Sequence, residues 1–261
     1  MGALFSSPIS SSASSLIFPS PVCSYDDDWR NFIKIKKPKP TGYLSSVCSS
    51  KPSEQPDQFI PAFFFRKNGI KTTIIYSHGN SEDIGHCYSW MESLHESLDV
   101  NVIAYDYEGY GLHEGSSNEN SCYRDIDCVF EYLLENGIDE QDIIVYGRSL
   151  GTGPSVELAS IHNLKGVILE SPYTSIFGVV SNIMSNLSFC IDPFRNESKI
   201  HKIKSPIIIF HGTDDTVIPY EHSISLQQKS NCRLYTLNGG GHNDLQSNFG
   251  GSMLEKIKTI L

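Results

Sequence analysis

The sequence of 261 residues predicts an α/β fold, in which a mostly parallel central sheet is flanked by helices. Three observations support this prediction. From Phe59 onward, apolar runs of strand length alternate with segments of helical periodicity, as in parallel sheets that helices cover. Most of these runs are followed by Gly, His, Asp or Ser, and ligands bind beyond the carboxyl ends of parallel strands. The hydrophobic fraction of 39% is sufficient for a large core.

Seven apolar runs are the predicted strands: Phe59–Phe65, Thr72–Tyr76, Asn101–Tyr105, Ile143–Tyr146, Gly166–Leu169, Ile207–Phe210 and Arg233–Leu237. Five segments between and after them are the predicted helices: Asp83–Leu98, Asn120–Glu135, Gly151–Ile161, Glu221–Gln228 and Ser252–Leu261. We therefore place one α/β domain over residues 59–261. Residues 1–58 are rich in Ser and Pro and contain one short possible strand, Phe32–Lys36.

Composition and charge argue against several classes of protein. A net charge of -10 disfavours nucleic-acid binding, which requires a basic face. No apolar stretch is long enough for a membrane span. The seven cysteines form no CxxC pair or other cluster with metal-ligand spacing, so we expect neither a metal nor another cofactor. The start lacks the basic region of a signal peptide, so we expect a cytoplasmic protein rather than a secreted one.

The first six residues fit the pattern for N-myristoylation, with Gly2 as the acceptor. Because one myristoyl chain binds membranes only marginally, a second signal is normally required. A basic cluster that meets anionic lipid would supply it: Arg30, Lys34, Lys36, Lys37 and Lys39. The alternatives are an unmodified Ser-rich tail and an edge strand whose charges face solvent. We predict a peripheral membrane contact through myristate.

The strongest motif is Gly-x-Ser-x-Gly, formed by Gly147, Ser149 and Gly151 between a buried strand and a helix. A sharp strand-to-helix turn would hold Ser149 in a strained conformation and expose its hydroxyl above the sheet. Glycines on both sides let neighbouring segments pack closely against this turn. The start of the following helix favours developing negative charge near the serine. We therefore predict that Ser149 is a nucleophile.

A serine nucleophile needs a base and a carboxylate that orients it, which in this type of fold follow in the order Ser, acid, His. His242 follows the predicted strand Arg233–Leu237 and is the candidate base. Asp214 and Asp215 follow the strand Ile207–Phe210, and we favour Asp215 because it lies one residue deeper in the loop. His242 would accept the Ser149 proton while the carboxylate fixes its tautomer.

The developing oxyanion needs two donors, for which we predict the backbone amides of Leu150 and Asn80. Leu150 follows the nucleophile, and Asn80 lies in the loop after an early strand, where Gly79 allows a close approach. His78 and His211 begin matching His-Gly loops, and we expect both to pack within those loops. Arg148 would either meet an acidic substrate or pair with a nearby carboxylate, and we favour pairing.

These residues resemble the α/β-hydrolase superfamily over Phe59 to Leu261. Within it, the sequence is similar to the α/β-hydrolase domain-containing protein 17 family of depalmitoylating serine thioesterases. The matching stretches are Tyr76–Asn80 with Asp83–Gly85, Tyr105–Gly111, Tyr123–Asp127, Tyr146–Gly151, His211–Asp215 and Gly241–Asp244. In that family the aspartate four residues after the His of the His-Gly pair is the catalytic acid, which implies Asp215.

The resemblance implies a membrane-anchored enzyme that hydrolyses long-chain thioesters on membrane-bound proteins, so the expected partner is an S-palmitoylated protein or a small acyl ester. The sequence departs from the family pattern twice. It has no N-terminal cysteine cluster before Cys23, so myristate on Gly2 would replace that anchor, and it has Arg148 where the likeness predicts Gln. A carboxylesterase or serine peptidase-like hydrolase would use the same residues. A non-catalytic scaffold of this fold would be expected to lack one of them.

The spacing of the strands predicts a minimal cap over the site. Only 37 residues separate the predicted strand end at Leu169 from the next strand at Ile207, and one covering helix uses part of them. An open site suits an acyl chain presented by a bulky protein. The segment from Ser175 to Asn196 is the part that could still fold over the site.

Overall fold

The computed structural model describes residues 18–37, 58–176 and 193–261. Gly2 lies outside these residues, as does most of the segment in which a minimal cap is expected. The described strands form one sheet in the order β1-β2-β4-β3-β5-β6-β7-β8. They are β1 (Phe32–Lys36), β2 (Phe59–Phe65), β3 (Thr73–Ser77), β4 (Asn101–Tyr105), β5 (Ile143–Arg148), β6 (Gly166–Glu170), β7 (Ile207–Gly212) and β8 (Cys232–Leu237).

Helices cover both faces of this sheet. The described α-helices are α1 (Tyr88–Leu98), α2 (Glu119–Glu135), α3 (Thr152–Ile161), α4 (Glu221–Gln228) and α5 (Leu245–Ile257). One core cluster includes alternate strand residues such as Ile75 and Val145 together with apolar residues of α2 and α3. The opposite cluster includes Ile74 and Ile144 together with apolar residues of α1 and α5. Burial on both faces explains why the central strands are almost continuously apolar.

The order in which the chain adds strands to the sheet reverses between β3 and β5. Strand β3 pairs in parallel with β4 on one side and with β5 on the other, so the connections from β3 and β5 leave in opposite directions. Ligands of open α/β sheets bind at such a point, beyond the carboxyl ends of the strands. The register of β3 and β5 pairs Ser77 with Gly147, so the loop after β3 and the turn after β5 begin side by side at this point.

The predicted fold class is confirmed, since five of the seven strand pairings are parallel and helices flank the sheet. Two predicted helix starts are wrong. Helix α1 begins at Tyr88 instead of Asp83, because the Asp83 carboxylate binds the backbone amides of Ser24 and His86 in a loop. Helix α5 begins at Leu245, well before the predicted start, and therefore contains Gly250, which packs closely against Trp90.

The N-terminal part of the chain is built into this sheet. Strand β1 pairs antiparallel with β2, so the predicted division between residues 58 and 59 does not separate residues 18–37 from the domain. Upstream of β1, Tyr25 is buried and donates its hydroxyl to Asp106 Oδ2 at the end of β4. The other carboxylate oxygen of Asp106 accepts the amide of Ile84 at 3.0 Å. Tyr25 thereby joins the N-terminal segment to the loops at the carboxyl edge.

The predicted basic cluster is divided by its packing. Lys37 is not available to a membrane, because its ammonium lies 2.8 Å from buried Asp125 and 3.1 Å from Glu108. Lys34 is exposed and pairs with Asp27 at 2.9 Å on the surface. Lys37 therefore fixes the end of β1 to α2, whereas Lys34 remains on the solvent side of an edge strand.

We expect Tyr25→Phe to lower the free energy of unfolding by about 1–3 kcal/mol, because it leaves a buried carboxylate oxygen of Asp106 without its donor. Urea unfolding followed by circular dichroism measures this change. Tyr88→Phe is the matched control, since its hydroxyl makes only two long bonds, to the Arg30 carbonyl at 3.3 Å and from the Asn31 amide at 3.4 Å. The control should change stability by less than about 0.5 kcal/mol. Equal losses in the two variants would contradict the role assigned to Tyr25.

Candidate active site

The turn after β5 has the geometry that its glycines predict. Ser149 has a φ of 50°, in the left-handed region, and begins a short 3₁₀ turn that leads into α3. A Cβ on Gly147 would collide with the Gly151 carbonyl, and one on Gly151 would collide with the Ser77 carbonyl. A non-glycine residue in this region of φ is strained and persists only where its surroundings enforce it. The packing around the turn is therefore what holds Ser149 in this conformation.

Three of the predicted site residues meet at the carboxyl edge of the sheet. His242 Nε2 lies 3.0 Å from Ser149 Oγ, and His242 Nδ1 lies 2.7 Å from Asp215 Oδ2. The carboxylate accepts a hydrogen bond from Nδ1–H, so the hydrogen-bond network assigns the tautomer in which Nε2 carries no proton and can accept one. The Ser149 hydroxyl is then the donor to Nε2. This arrangement can move the serine proton onto the imidazole.

Asp215 is buried and its carboxylate is fully engaged. One oxygen accepts the amides of Val217 and Ile218 at 2.9 and 2.8 Å, and the other faces His242. Burial by itself raises the pKa of Asp215, but hydrogen bonds from His211, His242 and the Ile218 amide hold this pKa well below its usual value. The group is therefore a carboxylate at neutral pH and can stabilise an imidazolium.

The neighbouring Asp214 occupies a different position. Its side chain is exposed and accepts the hydroxyl of Thr213 at 2.9 Å. Its backbone amide binds the Gly240 carbonyl at 2.9 Å, which ties this loop to the residues just before His242. Of the two candidate carboxylates, Asp215 is thus the one that lies against the imidazole.

His211 contacts the site more directly than its sequence position suggests. Its Nε2 donates to the Ile218 carbonyl at 2.8 Å and lies 3.3 Å from Asp215 Oδ2, while Nδ1 accepts from Ser223 Oγ at 2.6 Å. The expected role in loop packing is therefore incomplete, because this side chain also supports the carboxylate. The sequence feature that could have indicated this contact is the position of His211, four residues before Asp215 in the same loop.

The predicted oxyanion residues lie on two adjoining segments. Leu150 is buried in the turn directly after Ser149. The loop from β3 to Asn80 passes beside this turn, since the Ser77 and His78 carbonyls lie against Gly151. Asn80 Oδ1 accepts the hydroxyl of Tyr110 at 2.6 Å, which fixes the end of the loop. The roles of the Leu150 and Asn80 amides as donors remain a prediction.

The two remaining candidates lie beside carboxylates. His78 is buried, with Nδ1 at 2.8 Å from the Gly79 carbonyl and Nε2 at 3.3 Å from Asp106, so it packs within its loop as expected. Arg148 forms ion pairs with Glu82 and Glu170.

In residues 18–37, 58–176 and 193–261, there is no group of His, Cys, Asp and Glu side chains that could hold a metal ion. No helix in these ranges is long and apolar enough to span a membrane.

Comparison with known proteins identifies the family of this chain. A model of the serine aminopeptidase S33 family matches residues 68–197. Alpha/beta hydrolase domain-containing protein 17B of Homo sapiens is 38% identical over 194 residues, which cover 73% of this chain and 66% of that protein. The Xenopus laevis protein of the same name is 39% identical over an equally large share of both chains. The chain belongs to the α/β-hydrolase superfamily. The predicted resemblance to the protein 17 family is confirmed.

Solved structures of this superfamily share the fold. An esterase from Pyrococcus furiosus superposes with a TM-score of 0.70 at 15% identity, over 94% of this chain and 97% of its own. A monoacylglycerol lipase from Paleococcus ferrophilus has a TM-score of 0.59 at 18% identity, over 77% of this chain and 97% of its own. The aligned part of the chain spans 66% of the length of the 17B relatives.

We expect Asp215→Asn to lower kcat by about 10⁴-fold, because an amide at this position favours the wrong tautomer of His242. The rate of hydrolysis of a small activated ester measures the loss, and thermal unfolding checks that the buried substitution is tolerated. Asp214→Asn is the matched control and should retain nearly full activity, because that side chain is exposed. A damaging Asp214→Asn and a mild Asp215→Asn would show that the other carboxylate is the acid.

Proposed function

We propose that this protein is a serine hydrolase that cleaves acyl thioesters or esters through an acyl-enzyme, and that its substrates are S-palmitoylated proteins. The observation that carries this proposal is the continuous set of hydrogen bonds from Ser149 through His242 to Asp215. Membership of the α/β-hydrolase superfamily supports hydrolysis as the reaction class. Similarity to the protein 17 family supports palmitoyl thioesters as the substrate class.

In the first half of the reaction, Ser149 Oγ attacks the carbonyl carbon of the acyl group while its proton passes to His242 Nε2. The carbonyl oxygen becomes an oxyanion, which accepts hydrogen bonds from the Leu150 and Asn80 amides. The bond from carbon to sulfur then breaks, and His242 gives its proton to the departing thiolate. Asp215 stabilises the imidazolium between these two transfers. The products are a free cysteine thiol and an acyl ester on Ser149.

In the second half, water replaces the cysteine at the carbonyl carbon. His242 accepts a proton from this water as its oxygen attacks, and the same amides stabilise the second oxyanion. Collapse breaks the bond between the carbon and Ser149 Oγ, and His242 returns the proton to the serine. The fatty acid leaves and the enzyme is restored. An oxygen ester requires the same steps, so the chemical groups alone do not discriminate between the two substrate classes.

We expect the wild-type chain to be labelled by a fluorophosphonate probe and to hydrolyse thioesters faster as the acyl chain lengthens toward palmitoyl. The assay uses matched acyl thioesters and oxygen esters of rising chain length, followed by an S-palmitoylated peptide. Ser149→Ala should abolish labelling and lower turnover by at least about 10⁴-fold, since it removes the covalent nucleophile.

Ser160→Ala is the matched control, because its hydroxyl bonds the Glu157 carbonyl within α3 and lies outside the site. It should keep wild-type labelling and turnover. Equal or better hydrolysis of short oxygen esters would instead identify a carboxylesterase, and cleavage of peptide substrates alone would identify a peptidase. An unlabelled, inactive wild-type chain would identify a non-catalytic scaffold.

The proposed substrates place the enzyme at a membrane, and we propose that myristate on Gly2 anchors it peripherally on the cytoplasmic side. Exposed basic residues near β1 would add electrostatic attraction to anionic lipid, each on the order of 1 kcal/mol. Lys34 is exposed and suits this role, whereas Lys37 does not, because its ammonium is already paired with buried Asp125. The contact would therefore be weakened both by loss of the lipid and by salt.

We expect Gly2→Ala to move the protein from the membrane fraction to the soluble fraction, because it removes the acceptor of the myristoyl chain. The basic residues that remain are then the only membrane signal, and stable binding normally requires two. Fractionation of cells that express the full chain measures this, with incorporation of a myristate analogue as the direct readout. Ala3→Ser is the control, since it leaves Gly2 and Ser6 of the pattern in place. Membrane association that persists in Gly2→Ala and resists high salt would point to acylation of Cys23 or Cys48 instead.

A further inference from the structure

Arg148 lies inside the turn motif, and its guanidinium contacts three separate segments. Nη1 pairs with Glu82 in the loop after β3, and Nε lies 3.3 Å from Glu170 Oε1 at the end of β6. Nη2 donates to Asn243 Oδ1 at 2.9 Å and lies 3.4 Å from the His242 carbonyl. All three nitrogens of the guanidinium are therefore engaged.

Two of these segments carry groups that the proposed reaction needs. Glu82 Oε2 accepts the Gly79 amide at 3.0 Å, so Arg148 is linked through Glu82 to the loop that ends at Asn80. On the other side, Asn243 follows His242 directly, and the His242 carbonyl is itself a partner of the guanidinium. One planar cation thus joins the loop of the candidate oxyanion donor to the loop of the candidate base.

The third partner explains why a cation occupies this position. Glu170 is buried, and its Oε2 accepts the Tyr146 hydroxyl at 2.6 Å and the Gln246 amide at 2.9 Å. Its Oε1 faces Arg148, and a buried carboxylate is costly without a paired positive charge. The planar fork of arginine can meet several acceptors at fixed angles, which the single ammonium of lysine does not reproduce.

We propose that Arg148 is a positioning residue that holds the His242 loop and the oxyanion loop in register on either side of Ser149. This assignment rests on the proposed hydrolase function. Arg148 does not contact the substrate, because it is 7% exposed and its nitrogens already have protein partners. It acts through the placement of His242 and Asn80, so its loss should lower kcat more than it raises KM.

The first test is Asn243→Ala, which removes one contact of the guanidinium at an exposed side chain and leaves both ion pairs intact. We expect kcat for a soluble thioester to fall about tenfold, the effect of one lost charge-assisted hydrogen bond, with KM changed by less than about twofold. Each rate is divided by the concentration of active sites, which titration with the fluorophosphonate probe gives. Asn243→Asp keeps an acceptor oxygen and should restore kcat to within about threefold of wild type.

The second test is a double-mutant cycle with Arg148→Lys, which keeps a positive charge beside Glu170 so that the chain still folds. We expect Arg148→Lys to lower kcat by about 10–100-fold, because one ammonium cannot join both loops. Adding Asn243→Ala should then lower kcat by less than about twofold, since the contact is already lost. Arg124→Lys is the control and should leave kcat unchanged, because that side chain is exposed and lies 3.9 Å from its partner Glu108.

The outcomes separate this assignment from the proposed function. An active wild type whose Asn243→Ala and Arg148→Lys variants keep wild-type kcat per titrated site would overturn the positioning role alone. Losses in the cycle that multiply would also overturn it, since the two residues would then act independently. A variant that loses thermal stability but not kcat would show that Arg148 is merely structural. A wild type that neither labels nor hydrolyses would overturn both proposals together.

Discussion

The left-handed backbone at Ser149 is the constraint on which the rest of the site depends. A serine adopts a φ of 50° only where its surroundings enforce it, and here the enforcing contacts are between backbone atoms. Positions 147 and 151 accept only glycine, because the Gly151 and Ser77 carbonyls occupy the space that a side chain would need. The same close packing brings the loop after β3 against the start of the helix. Strain at the serine and proximity of the neighbouring loop are therefore two results of one arrangement.

The sheet order turns this local geometry into a site. Because the connections from β3 and β5 leave in opposite directions, the carboxyl edge between them is the place where ligands of open α/β sheets bind. Strands β7 and β8 end farther along the same edge and deliver Asp215 and His242 from one side. The carboxylate is buried and held by backbone amides, so it does not depend on solvent for its charge. Arg148, the residue directly before Ser149, then links this side to the loop after β3.

The N-terminal segment belongs to the same system of support. Tyr25 bonds Asp106, and Asp106 in turn binds the amide of Ile84 in the loop that precedes α1. Lys37 fixes the end of β1 through two carboxylates, of Glu108 and Asp125. The segment nearest the proposed lipid anchor is thus packed against loops that border the site. Residues 18–37 thus connect the part of the chain that follows the proposed anchor to the carboxyl edge of the sheet.

The sequence by itself determined the alternation of strands and helices and the turn around Ser149, because each is a local pattern with a local physical cause. The expected order Ser, acid, His came from the type of fold, and it left both Asp214 and Asp215 as candidates for the acid. It also indicated that Arg148 pairs with a carboxylate, but it did not identify Glu82 or Glu170. The start of α1, the place of Tyr25 and Lys37, and the position of Asp215 rather than Asp214 against His242 were decided by tertiary structure. Each of these depends on which distant segments share a strand edge or a buried space. Local pattern carries no such information, because these contacts join residues that are far apart along the chain.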